Sequence, residues 1–224
     1  MFKPFITALI YRILSFLQTN ETFFTQSAEE RIKSMETLKL PPIFKTYLGK
    51  ISEKEFLRDL TLSINYSNEG KLQETNQNPF FLSLIDFFTK NFSMRMDIMN
   101  ESYSFSDQKR QEIALKIMPG EGELAESLRH LLLHYSYQEL ANEIIKICTT
   151  VANAPLILIQ SPREIDLSLK KEIRTKLLTE EPLAFLSFQI NRKLIGGVRV
   201  FKGGKVVDHS WLSRVLRFKS LTSV

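Results

Sequence analysis

Apolar residues recur every three or four positions over the first two-thirds of the chain, then give way near Ala154 to short unbroken or alternating runs. The first spacing predicts helices and the second predicts strands. Phe5, Ile6, Leu9, Ile13 and Leu17 form one stripe, so a helix is expected from Lys3 to Gln18. A second is expected from Ser27 to Leu40, stopped by Pro41-Pro42, and a short third from Ile43 to Leu48. Ser52 and Glu55 have the spacing of a capping box, opening a fourth that runs to Tyr66. Ser67 to Asn78 is almost devoid of apolar residues and reads as a loop or disordered insertion. Asn78-Pro79 then supplies a cap and a first-turn proline for a helix carrying Phe81, Leu84, Ile85, Phe88 and Phe92. Helices over Ser106 to Met118, Glu123 to His134 and Tyr137 to Val151 complete the region, with Pro119-Gly120-Glu121-Gly122 as a break.

Beyond Ala154 the pattern changes. Leu156 to Ile159 is a continuous apolar run, as expected of a central strand buried on both faces. A helix follows, capped by Asp166 or Ser168, with Leu169, Ile173 and Leu177 on its inner face. Ala184, Leu186, Phe188 and Ile190 alternate in a second strand, and two strands joined through a helix are most simply parallel. Val198 to Phe201 and Val206 to His209 flank the turn Lys202-Gly203-Gly204-Lys205. Two central glycines suit a primed two-residue turn, which sets Arg199 opposite Asp208 and Phe201 opposite Val206. Ser210 caps a last helix with Leu212, Val215 and Leu216 turned inward. The expected fold is an α-helical N-terminal bundle (1–151, with a polar insertion near 67–78) plus a small α+β domain (154–224). The order of that second domain is β-α-β-β-β-α.

Composition adds little to this. The chain has 224 residues with 43% hydrophobic and 25% charged, enough for a packed core, and its Gly and Pro counts of 8 each favour helix. The net charge of +5 arises from 30 basic residues interleaved with 25 acidic ones, which fits an acidic protein, an anionic surface or a nucleic acid. One cysteine, Cys148, cannot form an internal disulfide and sits among Ile144, Ile145, Ile147 and Val151, where it reads as a small core residue. The apolar N-terminal run is interrupted by Arg12 and is too short between charges to span a bilayer. His130 and His134 lie one turn apart, but Leu131 stands where the zincin pattern needs glutamate, so two half-buried structural histidines are expected. His209 beside Asp208, and the pairs Glu29-Glu30 and Glu180-Glu181, assemble no nucleophile, base and oxyanion site. No catalytic, cofactor or metal residues are read.

The segment Asn191 to Phe218 resembles the end of delta (OSCP) subunits of rotary ATP synthases. The matching positions are Leu194, Ile195, Gly196, Gly197, Val198, Val200, Gly204, Lys205, Val206, Val207, Asp208, Ser210 and Arg214. Neither Gly196-Gly197 nor Gly203-Gly204 has phosphate-loop spacing, so all four are read as backbone devices. The unit Pro155 to Leu178 is similar to the strand and helix that open the family's C-terminal domain. Lys3, Phe5, Ile6, Ala8 and Leu9 give a softened version of its first helix. Ser127 to Asn153 is similar to the two helices before that domain, whereas the helices between 79 and 118 have no counterpart in the family pattern.

The resemblance implies a non-catalytic subunit of a proton-translocating ATP synthase. Its helical domain would grip N-terminal segments of the alpha subunits of the catalytic head. Its C-terminal domain would hold the b subunit of the peripheral stalk, with Phe5, Leu9, Arg214 and Arg217 as candidate interface residues. Such a subunit is peripheral, on the cytoplasmic face of a cell membrane, and meets the membrane through the complex alone. Two other readings stay open. One is a basic nucleic-acid-binding module using Arg192, Lys193, Arg199, Lys202 and Lys205 around a sheet edge; the other is a small-molecule enzyme, for which no convergent polar set is present.

Overall fold

The computed structural model describes residues 1–70, 78–151, 155–211 and 213–215, and the side-chain surroundings of all these but Tyr103. Helices dominate, and the strands form one four-stranded mixed sheet near the C-terminus. The fold is thus a helical bundle plus a small α+β domain. The chain divides into two compact units, Met1–Ala152 and Asn153–Val224.

The first unit contains α1 (Lys3–Thr19), α2 (Ala28–Ser34), α3 (Pro42–Lys50), α4 (Glu53–Glu69) and α5 (Pro79–Asp86). It continues with α6 (Ser93–Glu101), α7 (Asp107–Ile117), α8 (Glu123–His134) and α9 (Tyr137–Val151). Polar caps fix many of the starts. Ser27 with Glu30 and Ser52 with Glu55 close reciprocal capping boxes, and the Asn78 side chain accepts from the Phe81 amide at 3.1 Å. Ser136 and Glu139 form a further box at the start of α9, which the spacing alone would have revealed. Each cap of this kind is worth about 1 kcal/mol.

Phenylalanines fill the space between these helices. Phe5 stacks on Phe87 with centroids 5.6 Å apart, and meets Phe88 edge-on at 5.4 Å. Phe44 and Phe80 extend the cluster on the side of α3 and α5. Such ring pairs add roughly 0.5–1.5 kcal/mol each beyond area burial.

Two elements differ from the sequence expectation. Helix α2 stops at Ser34 instead of reaching Leu40, because Met35, Leu38 and Leu40 are all buried. No straight helix can turn residues two apart to one side. Between α5 and α6 the backbone stays helical but widens into a π-helical turn at Phe87–Phe92, which apolar periodicity could not announce. The centre of the polar segment expected at 67–78, residues 71–77, lies outside the described residues; 67–69 finish α4.

The second unit contains β1 (Leu156–Ser161), α10 (Leu167–Glu180), β2 (Phe185–Ile190), β3 (Arg199–Lys202) and β4 (Lys205–Asp208). The sheet order is β2-β1-β3-β4, with β1 and β2 parallel across α10, and β3 antiparallel to both neighbours. Ile157, Ile159, Ile165, Leu178, Ala184 and Leu186 make its core, with Ile173, Leu177, Phe188 and Val200 against it. Strand β1 is central, but its exposure alternates, with Leu158 and Gln160 only half-buried. Leu169 faces solvent, contrary to expectation, and Lys170 and Arg174 are buried instead. Their long stems cover the sheet, with the Arg174 guanidinium 4.9 Å and the Lys170 ammonium 5.9 Å from the Phe188 ring centroid.

Candidate functional site

The residues from Leu194 to Arg214 are drawn together by two runs of chain lying side by side. Asn191 starts a turn, accepting from the Lys193 amide through its side chain (3.1 Å) and from the Leu194 amide through its carbonyl (3.0 Å). Leu194 is buried, and Ile195, the next residue, is 75% exposed. The chain then passes the hairpin's return. The Gly196 carbonyl accepts from the Trp211 amide at 3.0 Å, and the Val198 carbonyl accepts from the His209 amide at 2.9 Å. A β-carbon on Gly197 would stand 2.4 Å from the His209 carbonyl oxygen, and this residue has φ of +74°. Only glycine meets both demands without strain.

The hairpin has the register read from its turn. Gly203 and Gly204 take φ of +53° and +78°, Lys202 pairs with Lys205, and Phe201 with Val206. Arg199 lies opposite Asp208, its Nε 2.9 Å and Nη2 2.7 Å from one carboxylate oxygen. The other carboxylate oxygen accepts from the Ser210 amide at 2.9 Å. Ser210 and then Arg199 hold the Asp208 carboxyl down to about 2. Ser210 is fully buried, and its hydroxyl oxygen accepts from the Ser213 amide at 3.2 Å, starting a helical turn. Asp208 therefore joins the hairpin to that turn.

Trp211 is 59% exposed, although the edge of its indole lies against Gly196, and the Arg214 guanidinium sits 5.9 Å from its ring. Val215, expected to turn inward, is 55% exposed. Leu212, Leu216 and Arg217 lie outside the described residues. Of the basic set at the sheet edge, Arg199 is bound to Asp208 and Lys202 lies 2.8 Å from Glu181, while Arg192, Lys193 and Lys205 are exposed.

The first unit offers a different surface. Phe5 and Leu9 are 0% exposed, which corrects their reading as interface residues: they anchor α1 to the core. The exposed side of α1 carries Thr7, Tyr11 and Leu14. With Lys3, Ile10 and, on α4, Ile64, Ser67 and Asn68, these line a groove of about 420 Å³. A period of three to four had marked α1 as amphipathic, but not that its outer face keeps large apolar residues.

Groups with reactive chemistry are placed structurally. Burial pushes the Cys148 thiol up to about 12, so it is a core residue and no nucleophile. His130 and His134 lie tilted with ring centroids 4.4 Å apart on α8 and are both exposed, not half-buried. Among the described residues, no group of three or more His, Cys, Asp or Glu could hold a metal ion, and no helix is long and apolar enough to cross a membrane.

No family model matches the sequence, and no curated protein matches it. Among solved structures the chain is similar to one in the mitochondrial ATP synthase hexamer of Toxoplasma gondii. That similarity is at 12% identity and a TM-score of 0.31, over 82% of this chain and 94% of the other. Likeness at that level defines neither a shared fold nor a shared role.

Proposed function

We propose that this protein is a non-catalytic stator subunit of the delta (OSCP) kind, linking the catalytic head of a rotary ATP synthase to its peripheral stalk. The observation that carries the reading is the interlocked set from Leu194 to Ser210. The residues that resemble the family's C-terminal signature are the ones with an evident physical task here: Gly197 admits the returning chain, Gly203 and Gly204 make the turn, and Asp208 and Ser210 fasten its end. In this reading the second unit holds the b subunit.

The groove between α1 and α4 receives an N-terminal helix of an alpha subunit. An apolar trough between two helices is the usual receptor for a third amphipathic one. Held at both ends, the subunit resists the torque that would otherwise turn the head with the rotor, so proton flow drives ATP synthesis. It lies at the cytoplasmic side of a cell membrane and touches lipid through its partners alone.

The test is affinity purification of the tagged full-length chain from native membranes. Alpha and b subunits should accompany it, and deleting Leu194–Val224 should leave ATP hydrolysis intact while abolishing its linkage to proton pumping. A purification that brings down no ATP synthase subunit overturns the reading.

A further inference from the structure

The two histidines of α8 are not the half-buried structural pair expected from the sequence. Helix α8 fills the core with Leu128, Leu131 and Leu132, while His130 and His134 are turned away from that face and exposed. Standing one turn apart, they share a side of the helix. Their rings have already come together there, with centroids 4.4 Å apart and planes inclined at 39°.

The backbone beneath them is held in place. From α7 the Arg110 guanidinium donates to the Leu133 carbonyl at 3.0 Å, inside the turn that carries both imidazoles. Arg129, next to His130, reaches back along the helix and donates to the Met118 and Gly120 carbonyls at 3.0 and 2.9 Å. His134 is also the last residue of α8, and the carbonyl end of a helix favours a cation close by.

From this we infer that His130 and His134 together bind one late first-row divalent metal ion, copper(II), nickel(II) or zinc(II), through one nitrogen of each ring. Imidazole is a preferred ligand of these ions, whereas magnesium and calcium take oxygen. Two metal–nitrogen bonds of about 2.0–2.1 Å bridge imidazoles this close once the exposed rings turn toward the ion. Among the described residues no third His, Cys, Asp or Glu completes the set, so water takes the remaining positions and the site is open.

The experiment is titration of the untagged full-length chain with copper(II), followed by calorimetry and electron paramagnetic resonance. The chain has three histidines and a single, buried cysteine, so His209 is the one other imidazole and serves as the control. One ion should bind per chain, with a spectrum showing two coordinated nitrogens. His130→Ala and His134→Ala should each weaken binding by at least about tenfold, since losing even a residue that hydrogen-bonds a metal ligand costs roughly 10–100-fold. His209→Ala should change nothing, nickel(II) should compete, and magnesium should not. The three positions are exposed, and unchanged helix content by circular dichroism confirms intact folding. A double variant, His130→Ala with His134→Ala, that binds copper(II) as tightly as the wild type overturns the site. So does a wild-type chain that shows no saturable binding or a single coordinated nitrogen.

Discussion

Tyr47 donates its hydroxyl at 3.0 Å to the carboxylate of Asp59, a residue only 1% exposed in the middle of the helical unit. Asn78 donates to the other oxygen at 2.6 Å, so one buried carboxylate ties α3, α4 and the cap of α5 together. Burial and then the Asp59 charge push the Tyr47 phenol well above its ordinary range, keeping it a donor at any physiological pH. Tyr47→Phe should cost about 2 kcal/mol, the worth of a hydrogen bond to a charged group. Asp59→Ala should cost more, since it strands two buried donors. Urea denaturation monitored by circular dichroism measures both, and a loss below about 0.5 kcal/mol for Tyr47→Phe would mean the carboxylate is held otherwise.

The adjacent glycines Gly196 and Gly197 should respond differently to alanine. At Gly197 the new β-carbon meets backbone at 2.4 Å and the φ is positive, so loss of about 2 kcal/mol or more is expected. At Gly196 the nearest atoms it meets belong to the indole of Trp211, a half-exposed side chain that can swing away. Trp211 is the sole tryptophan, so Gly196→Ala should shift its fluorescence while leaving the denaturation midpoint nearly unchanged. Equal stabilities for the two variants would contradict the close approach at His209.

Asp208 makes the second unit sensitive to acid. Its carboxyl titrates near 2 in the folded chain, below the roughly 3.9 of an unfolded aspartate. A depressed carboxyl contributes stability that is complete above the unfolded value and lost as pH falls from about 4 toward 2. Carbon-detected NMR titration of the Asp208 carboxyl should give the low value directly. Asp208→Asn should flatten the fall in stability over that interval and lower stability at neutral pH.

Gly49 lies inside α3 without positive φ, and a β-carbon there would touch only Met35 Cε, at an ordinary 3.5 Å. Nothing among the described residues requires glycine at this position. Gly49→Ala should therefore raise stability by about 0.5–1 kcal/mol, the difference in helix propensity. A fall in the thermal midpoint would show that the site has no room for the methyl group.

Where local chemistry decides, the sequence is a sufficient guide: Ser52-Glu55, Asn78-Pro79 and Gly203-Gly204 act on neighbours within four residues, and their structures follow from type and spacing. Where distant partners decide, it is not. The apolar stripe of α1 marks Phe5 and Leu9 as inward-facing, but that Phe44, Phe87 and Phe88 are the rings that meet Phe5 is not visible in the spacing. Lys170 and Arg174 are inward, over the Phe188 ring and with Lys170 paired to Glu164, while Leu169 is outward. The candidate site divides the same way. Its hairpin register was legible in the glycine turn, but the contact between Gly196 and Trp211 is a close approach between residues 15 apart. The charge is interleaved when counted over the whole chain, and its concentration after Asn191 shows only when that stretch is counted alone.

The wide turn at Phe87–Phe92 sits within an unbroken helical path from Pro79 to Glu101. A π-turn holds one residue more than its α counterpart, so it acts as a phase shifter of about 100°. Before it, α5 packs on α3 and α9; after it, α6 packs on α7 and α8 and still touches α9. One rod thus keeps α9 along its length while exchanging α3 for α7 and α8. Removing a single residue from this turn would leave the sequences of α5 and α6 untouched and yet rotate Met96 and Met99, both buried, by about 100° relative to α5.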